Sequence, residues 1–347
     1  MSTNSKASVL IVGAGAIGIV LGYHLQLAGA EITYLIRPHR LSQLQNPQTL
    51  YSHDDNSLKV FKGYHYITNV SQLLDKAYDY IFIALDGAAL RSESGQELVR
   101  TIGKAAGGGE NTTKVIIGSF YFDIRSWFLQ LSGLPASRVC SCNAAVHVYS
   151  TKAFTMPTDP NSSPDSSSLI KQADWAYADR FSTGAAFHVM GDCPEVAQSF
   201  SGLYNGCQVS RCIIRSPVED AIFANVAPIA FAAAELLGWP QFRDIDANGE
   251  IWKLATEAAK EVMGLELHGE AGANAAAYTQ PAMFLEGMKQ YEQTFGSFDI
   301  IAFSRYHHGG KVLAQDKQHI QDAILVGEKE GKSMQALKDL VRRFEQS

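Results

Sequence analysis

The sequence is short of cysteine, of excess positive charge and of long apolar runs, and each shortage excludes something. Five cysteines in 347 residues (Cys140, Cys142, Cys193, Cys207, Cys212) form no CxxC pair and no zinc-ligand spacing. That rules out a disulfide framework and predicts reduced, structural thiols, with no metal site expected. Twenty-nine Lys and Arg against 35 Asp and Glu leave a net charge of −6, so there is no basic footprint for nucleic acid or an anionic membrane. No segment offers about 18 uninterrupted apolar residues, the length of a membrane span. The opening MSTNSKASVLIVG reaches an apolar strand after a few polar residues, without room for a secretion signal. A cytoplasmic protein acting on a small molecule is the expectation. At 46% hydrophobic and 18% charged residues the composition is that of a globular protein. Its length exceeds what one core usually organises, so two domains are expected.

In the first third, short apolar runs alternate with amphipathic stretches, the pattern of strand-helix-strand units in a parallel sheet. Val9 to Gly13, Glu31 to Ile36, Asp79 to Leu85 and Lys114 to Gly118 read as strands, with helices over Ala16 to Leu27 and Gln96 to Ala105. Further strands are expected over Val139 to Val148 and Gly184 to Met190. Between them TMPTDPNSSPDSSS, near 155–168, carries almost no apolar side chains and reads as a flexible insert. From about Ser216 the spacing becomes helical: Glu219 to Leu237, Gly249 to Met263, Gln280 to Thr294, Lys317 to Glu330 and Ser333 to Glu345. Gly264 and Gly331 follow such segments, where a left-handed helix terminus favours glycine. The expected organisation is an α/β Rossmann domain over 1–215, doubly wound with a mainly parallel sheet, followed by an all-helical domain over 216–347. Apolar Val226 to Leu237 could bury the interface of a homodimer.

The most specific motif is GAGAIG, which ends the first strand and opens the first helix. Gly13 permits the tight turn, Gly15 lets backbone approach a pyrophosphate, and Gly18 lets helix and strand pack closely. With Ala16 and Ile17 they form a turn whose unpaired N–H groups, at the positive end of a helix dipole, bind phosphate. The second strand ends LIRPHR. Arg37 thus stands where an NAD-preferring site carries Asp or Glu, and a guanidinium suits the 2′-phosphate of NADP(H). Arg40 adds a second charge. The alternative for both is a solvated strand end.

GxGAxG, a second strand ending in Arg and a helical C-terminal half resemble the ketopantoate reductase family. The resemblance implies NADPH-dependent reduction of a ketone in an interdomain cleft, with a lysine on the first helix of the second domain donating the proton while an asparagine and a glutamate hold substrate. At the corresponding positions this sequence departs. Asp86, in IALDGAAL, stands where the family has a lysine beside the cofactor. The asparagine of the family's NG turn falls on Gly118 or Ser119, the proton-donating lysine on Glu219 or Ala221, and the glutamate on Ala314 or Gln315. Asn225 keeps an asparagine.

Carbonyl reduction needs a proton source beside the electrophile, so something must replace the lysine. RYHHGGK gathers Arg305, Tyr306, His307, His308 and Lys311 around two glycines. One of His307, His308 or Lys311 is the candidate acid; the alternative is a surface loop and helix start. Glu219 and Asn225 are the remaining catalytic candidates, against readings as a helix-dipole partner and a structural amide. His147 reads as a core or cleft-lining residue, and His268 with Glu270 as part of a loop after a helix. Phe120, Tyr121, Phe122, Tyr306 and Trp252 are aromatic candidates for a pocket. Three functions compete: a reductase of a carbonyl or imine other than ketopantoate, a non-redox enzyme on the same fold, and a non-catalytic NADPH-binding regulator.

Overall fold

The first strand, β1 (Ser8–Val12), is apolar at every position after Ser8, and Val9 to Val12 are all buried. Its side chains alternate between two cores: Val9 and Ile11 enter one cluster, Leu10 and Val12 the other. A continuous apolar run of this kind is what a strand covered on both faces requires. The computed structural model describes residues 6–108, 112–157, 164–180 and 182–346, and the chain divides into two compact units, Met1–Arg215 and Ser216–Ser347.

In the first unit, α1 (Ala16–Leu27) carries the chain from β1 to β2 (Glu31–Leu35), paired parallel from Ser8↔Glu31 to Val12↔Leu35. There follow α2 (Leu41–Leu44), β3 (Gln48–Ser52), β4 (Ser57–Phe61), β5 (His65–Ile67), β6 (Tyr80–Ile83), α3 (Gly87–Arg91), α4 (Glu93–Gly107) and β7 (Lys114–Ile117). The unit closes with α5 (Ile124–Ser132), β8 (Val139–Ala144), β9 (His147–Ser150), α6 (Pro164–Gln172), β10 (Trp175–Ala178), β11 (Phe187–Met190), α7 (Pro194–Asn205) and β12 (Cys212–Arg215). Eight strands form one sheet in the order β12-β11-β8-β7-β6-β1-β2-β5. All its pairs are parallel except β8 with β11. The order reverses between β1 and β6, the switch point outside whose carboxyl edge open α/β sheets bind ligands. This is the doubly wound Rossmann architecture expected from the sequence.

Two features of this unit differ from the sequence reading. Val139 to Val148 is two strands: the N–H groups of Ala145 and Val146 both donate to Ala186 O (2.8 and 3.0 Å), and that break sends β9 out of the main sheet. β9 joins a second, four-stranded sheet in the order β4-β3-β10-β9. Of the segment near 155–168 read as a flexible insert, 158–163 lie outside the described residues, and from Pro164 the chain is helical to Gln172. Proline is tolerated in a first helical turn because its missing N–H has no partner there.

The second unit has helices and no strand among its described residues: α8 (Pro217–Leu236), α9 (Glu250–Met263), α10 (Gly269–Tyr278), α11 (Pro281–Gln293), α12 (Ile300–Tyr306), α13 (Leu313–Lys329) and α14 (Gln335–Gln346). Both α8 and α14 pack on α9. By length and composition α8 could cross a membrane, but just over half of its apolar window is buried within the protein, as in a core helix. The stretch expected to bury a dimer interface is largely core: Val226 and Ile229 to Ala234 are all buried. Gly331 has the left-handed conformation expected after a helix (φ 77°), whereas Gly264 ends α9 at φ −74°, which any residue adopts.

Candidate functional site

The glycine turn lies at the carboxyl end of β1. Gly13 has φ 102° and donates its N–H to Leu35 O at 3.0 Å, tying the turn to the end of β2. A Cβ on Gly18 would stand 2.1 Å from Gly13 O, so the helix can begin this close to the turn only with glycine there. A Cβ on Gly15 would meet nothing within 4 Å. The chain thus packs tightly behind the turn and leaves its front open. Gly15 caps α1 without a side-chain bond, and the first turn holds no acid. The N–H groups of Ala16, Ile17 and Gly18 precede the first helical bond, Ile19 N–H to Gly15 O. Unpaired donors and the helix dipole together make this opening suited to a phosphate. Tyr34, a residue the sequence reading passed over, supports the turn from β2 by donating its hydroxyl to Gly18 O at 2.9 Å.

Three further loops leave the same carboxyl edge. Arg37 follows β2 and is exposed, with no ion pair among the described residues. Arg40 is exposed too, but its guanidinium donates to Gln43 Oε1 at 3.1 Å. Asp86 follows β6 and caps α3, its Oδ1 accepting the Ala89 N–H at 2.6 Å, a local structural occupation for that carboxylate. After β7, Gly118 has no room for any side chain, since a Cβ would lie 2.4 Å from the Phe82 ring. Ser119 is buried, and its Oγ has no partner among the described residues. Of the two positions open for the family's asparagine, only Ser119 can present a polar side chain.

In the second unit, His307 to Lys311 form a single π turn between α12 and α13, closed by Val312 N–H to His307 O at 2.7 Å. Such wide turns recur at functional sites. His308 is held by a carboxylate and an aromatic ring. Its Nδ1–H donates to Asp316 Oδ2 at 2.7 Å, and its ring stacks on Phe231 of α8 at 3.9 Å and 15°. That bond leaves Nε2 without a partner among the described residues and not fully buried. The His307 ring lies at 82° to it, against Phe303, so the two histidines face different ways. A Cβ on Gly309 would approach Glu235 Oε2 to 2.9 Å, which explains one glycine of the pair. Lys311 is exposed; partial desolvation lowers its pKa, a shift that the exposure limits.

The remaining candidates separate. Glu219 is exposed in the first turn of α8, where a carboxylate complements the dipole. Asn225 is buried, and its amide nitrogen lies 3.0 Å from His268 Nε2. His268, expected in a loop, is instead a buried residue of a short 3-10 turn, Glu266–His268. Trp252 leaves the set of pocket aromatics: it is 1% exposed and its Nε1–H donates to Pro281 O. His147 is half-buried on β9. All five cysteines are buried and none forms a disulfide among the described residues; burial pushes the Cys140 and Cys212 thiols up to about 12, which keeps both protonated. Sequence reasoning missed Asp316 and read His268 only as part of a loop, since each is recognisable only through its partner.

Residues 9–93, which span the glycine turn, Arg37 and Asp86, match the family model described as ketopantoate reductase PanE/ApbA. No curated protein sequence matches the chain. Among solved structures, it is similar to a 2-dehydropantoate 2-reductase from Geobacter metallireducens (TM-score 0.66, 17% identity, 98% of this chain and 99% of that one). It is also similar to a 2-dehydropantoate 2-reductase from Methylococcus capsulatus (TM-score 0.64, 14% identity, 97% and 96%). A D-mandelate dehydrogenase in a ternary structure with NADH and anilino(oxo)acetate shares the fold at TM-score 0.60 and 9% identity, over 97% of each chain. The chain therefore has the fold of the ketopantoate reductases, and its glycine-turn segment, residues 9–93, is similar to the ketopantoate reductase PanE/ApbA family.

Proposed function

We propose that this chain is a cytoplasmic, NADPH-dependent reductase of the ketopantoate reductase superfamily, acting on a carbonyl or imine substrate other than ketopantoate. The observation that carries the reading is the glycine turn, closed behind at Gly18 and open in front at Gly15, with the Arg37 guanidinium, which has no ion pair among the described residues, at the end of the neighbouring strand. These residues fit NADPH: the first turn of α1 would hold the pyrophosphate, and Arg37 would pair with the 2′-phosphate through two charge-assisted hydrogen bonds. When bound, the reduced nicotinamide supplies a hydride.

The chain's own residues must then bind the substrate and protonate the oxygen or nitrogen that receives the electron pair. His308 is suited to that task because Asp316 fixes its tautomer and orientation and leaves Nε2 as the exchanging nitrogen. Asn225 would hold substrate through its amide. A substrate other than ketopantoate is supported by the positions that diverge from the family: Ala221 or exposed Glu219 for the lysine, and Ala314 or Gln315 for the glutamate.

The test is to incubate purified protein with NADPH and a panel of 2-oxo acids, ketones and imines and to follow nicotinamide absorbance. Oxidation with at least one electrophile other than ketopantoate is expected. Turnover of a substrate with no net change in NADPH would move the assignment to non-redox chemistry, and tight NADPH binding with no turnover would favour a regulator.

A further inference from the structure

The Asn225–His268 pair has only one consistent arrangement of hydrogens. His268 Nδ1 lies 3.0 Å from Val262 O and 3.2 Å from Met263 O, two carbonyls at the end of α9 that accept and never donate. Nδ1 must therefore carry a hydrogen. Burial lowers the His268 pKa, so the ring is neutral near pH 7 and Nε2 is bare. A bare nitrogen 3.0 Å from the Asn225 amide can only accept, so the NH2 group faces His268 and the carbonyl oxygen faces away. Among the described residues Asn225 Oδ1 has no hydrogen-bond partner, and it is not a fully buried atom.

We infer that His268 is a positioning residue for substrate recognition: it locks the Asn225 amide with its oxygen outward, so that a substrate held there must offer a hydrogen-bond donor, a hydroxyl or an N–H. This rests on Asn225 touching substrate, as set out under Proposed function. A freely rotating amide would accept donors and acceptors alike, by turning either end to the ligand. One fixed by a buried imidazole leaves an acceptor lacking a donor unpaired, and leaving a buried polar group unpaired is what lets a site reject an analogue. Substrates bearing a hydroxyl or amine near the reacting carbon are thus selected over their deoxy or deamino counterparts.

The full-length protein, labelled with 15N histidine, tests this directly by long-range proton–nitrogen NMR, with His268→Phe identifying the His268 signals. The expected spectrum has His268 neutral, protonated at Nδ1 and bare at Nε2. A proton on Nε2 with Nδ1 bare, or rapid exchange between the two, overturns the inference whether or not any electrophile is reduced. Asn225→Asp gives a second reading of the same contact. The new carboxyl keeps the contact either as an anion, with His268 carrying hydrogens on both nitrogens, or as an acid donating to a bare Nε2; a ring bare at Nδ1 would contradict the pairing. In kinetics, His268→Phe should lower kcat/KM for a hydroxylated 2-oxo acid about tenfold while changing that for its deoxy analogue little. Equal losses for the two would reduce His268 to a structural role. If the wild-type protein oxidises NADPH with no electrophile, the reductase reading fails, and the tautomer still decides the orientation of Asn225.

Discussion

The two units carry their candidate sites in different materials. The first uses backbone: a turn with a Cβ-to-oxygen approach of 2.1 Å behind it at Gly18 and nothing within 4 Å in front of it at Gly15. The second uses side-chain pairs, His308 with Asp316 and Asn225 with His268, each joined by a hydrogen bond across the sequence. A backbone site tolerates almost any change that adds no atoms and fails when one is added. A side-chain site fails atom by atom, and its two halves can be exchanged or lost separately.

The sharpest way to break this comparison is at the side-chain site. His308→Ala should lower kcat by about 10²–10⁴ with little effect on NADPH affinity, the usual range for a lost general acid. Asp316→Asn, which keeps shape and loses the charge that fixes the tautomer, should cost less than His308→Ala. An unchanged kcat in His308→Ala, measured under single-turnover conditions, removes His308 from the chemistry.

At the backbone site, two single substitutions should separate packing from binding. Gly18→Ala puts a methyl against a backbone carbonyl that cannot swing aside. It should destabilise the first unit by roughly 2–4 kcal/mol and abolish cofactor binding. Gly15→Val has open space and an ordinary φ of −83°, so thermal stability should hold while NADPH affinity falls at least about tenfold, one lost charge-assisted bond. Matching losses of Tm in both variants would contradict the distinction between the closed and open sides of the turn. Arg37→Glu should weaken NADPH by about a hundredfold, some 2.7 kcal/mol, and NADH much less. Equal weakening of both, by calorimetry, would take Arg37 away from the 2′-phosphate.

Acid acts more mildly, and on both units. Burial depresses His24 to about 3 and His53 to about 4 in the first unit, and His319 to about 4 in the second. Unfolded imidazoles titrate near 6.5. Between that value and the folded ones the unfolded chain binds more protons, so stability is full above about pH 6.5 and declines as pH falls toward 4. Tm should be flat above neutrality and drop by several degrees at pH 5. His268 of the second unit is lowered by burial as well, so amides of both units should lose hydrogen-exchange protection over the same range. A Tm unchanged down to pH 4 would contradict the burial assigned to these rings.

How much of this was legible in the sequence follows from the range of each interaction. β1, β2, β6 and β7 announce themselves because both faces are covered and their residues are almost continuously apolar. The second sheet does not: QTLYS and SLKVF mix polar and apolar residues, and Val60 is 60% exposed, so no clean period survives. The edge strand β12 leaves Ile213 and Ile214 exposed and reads as no element at all. The glycine turn is legible because its six residues are contiguous, with Gly13 and Gly18 answering local steric demands and Gly15 leaving open space. Asp316 and His268 are not, since the bonds that give them meaning span 8 and 43 residues. Gly264 looked like a left-handed terminus because glycine after a helix often is one, yet α9 closes there with φ −74°.

The central claim is that the opening at Gly15, with Arg37 beside it, selects a phosphorylated dinucleotide. Calorimetric titration of the unmodified protein with NADPH and NADH, under one buffer and salt condition, tests it most directly. NADPH binding at least tenfold tighter than NADH is the predicted result, and equal affinities, or a preference for NADH, would contradict it.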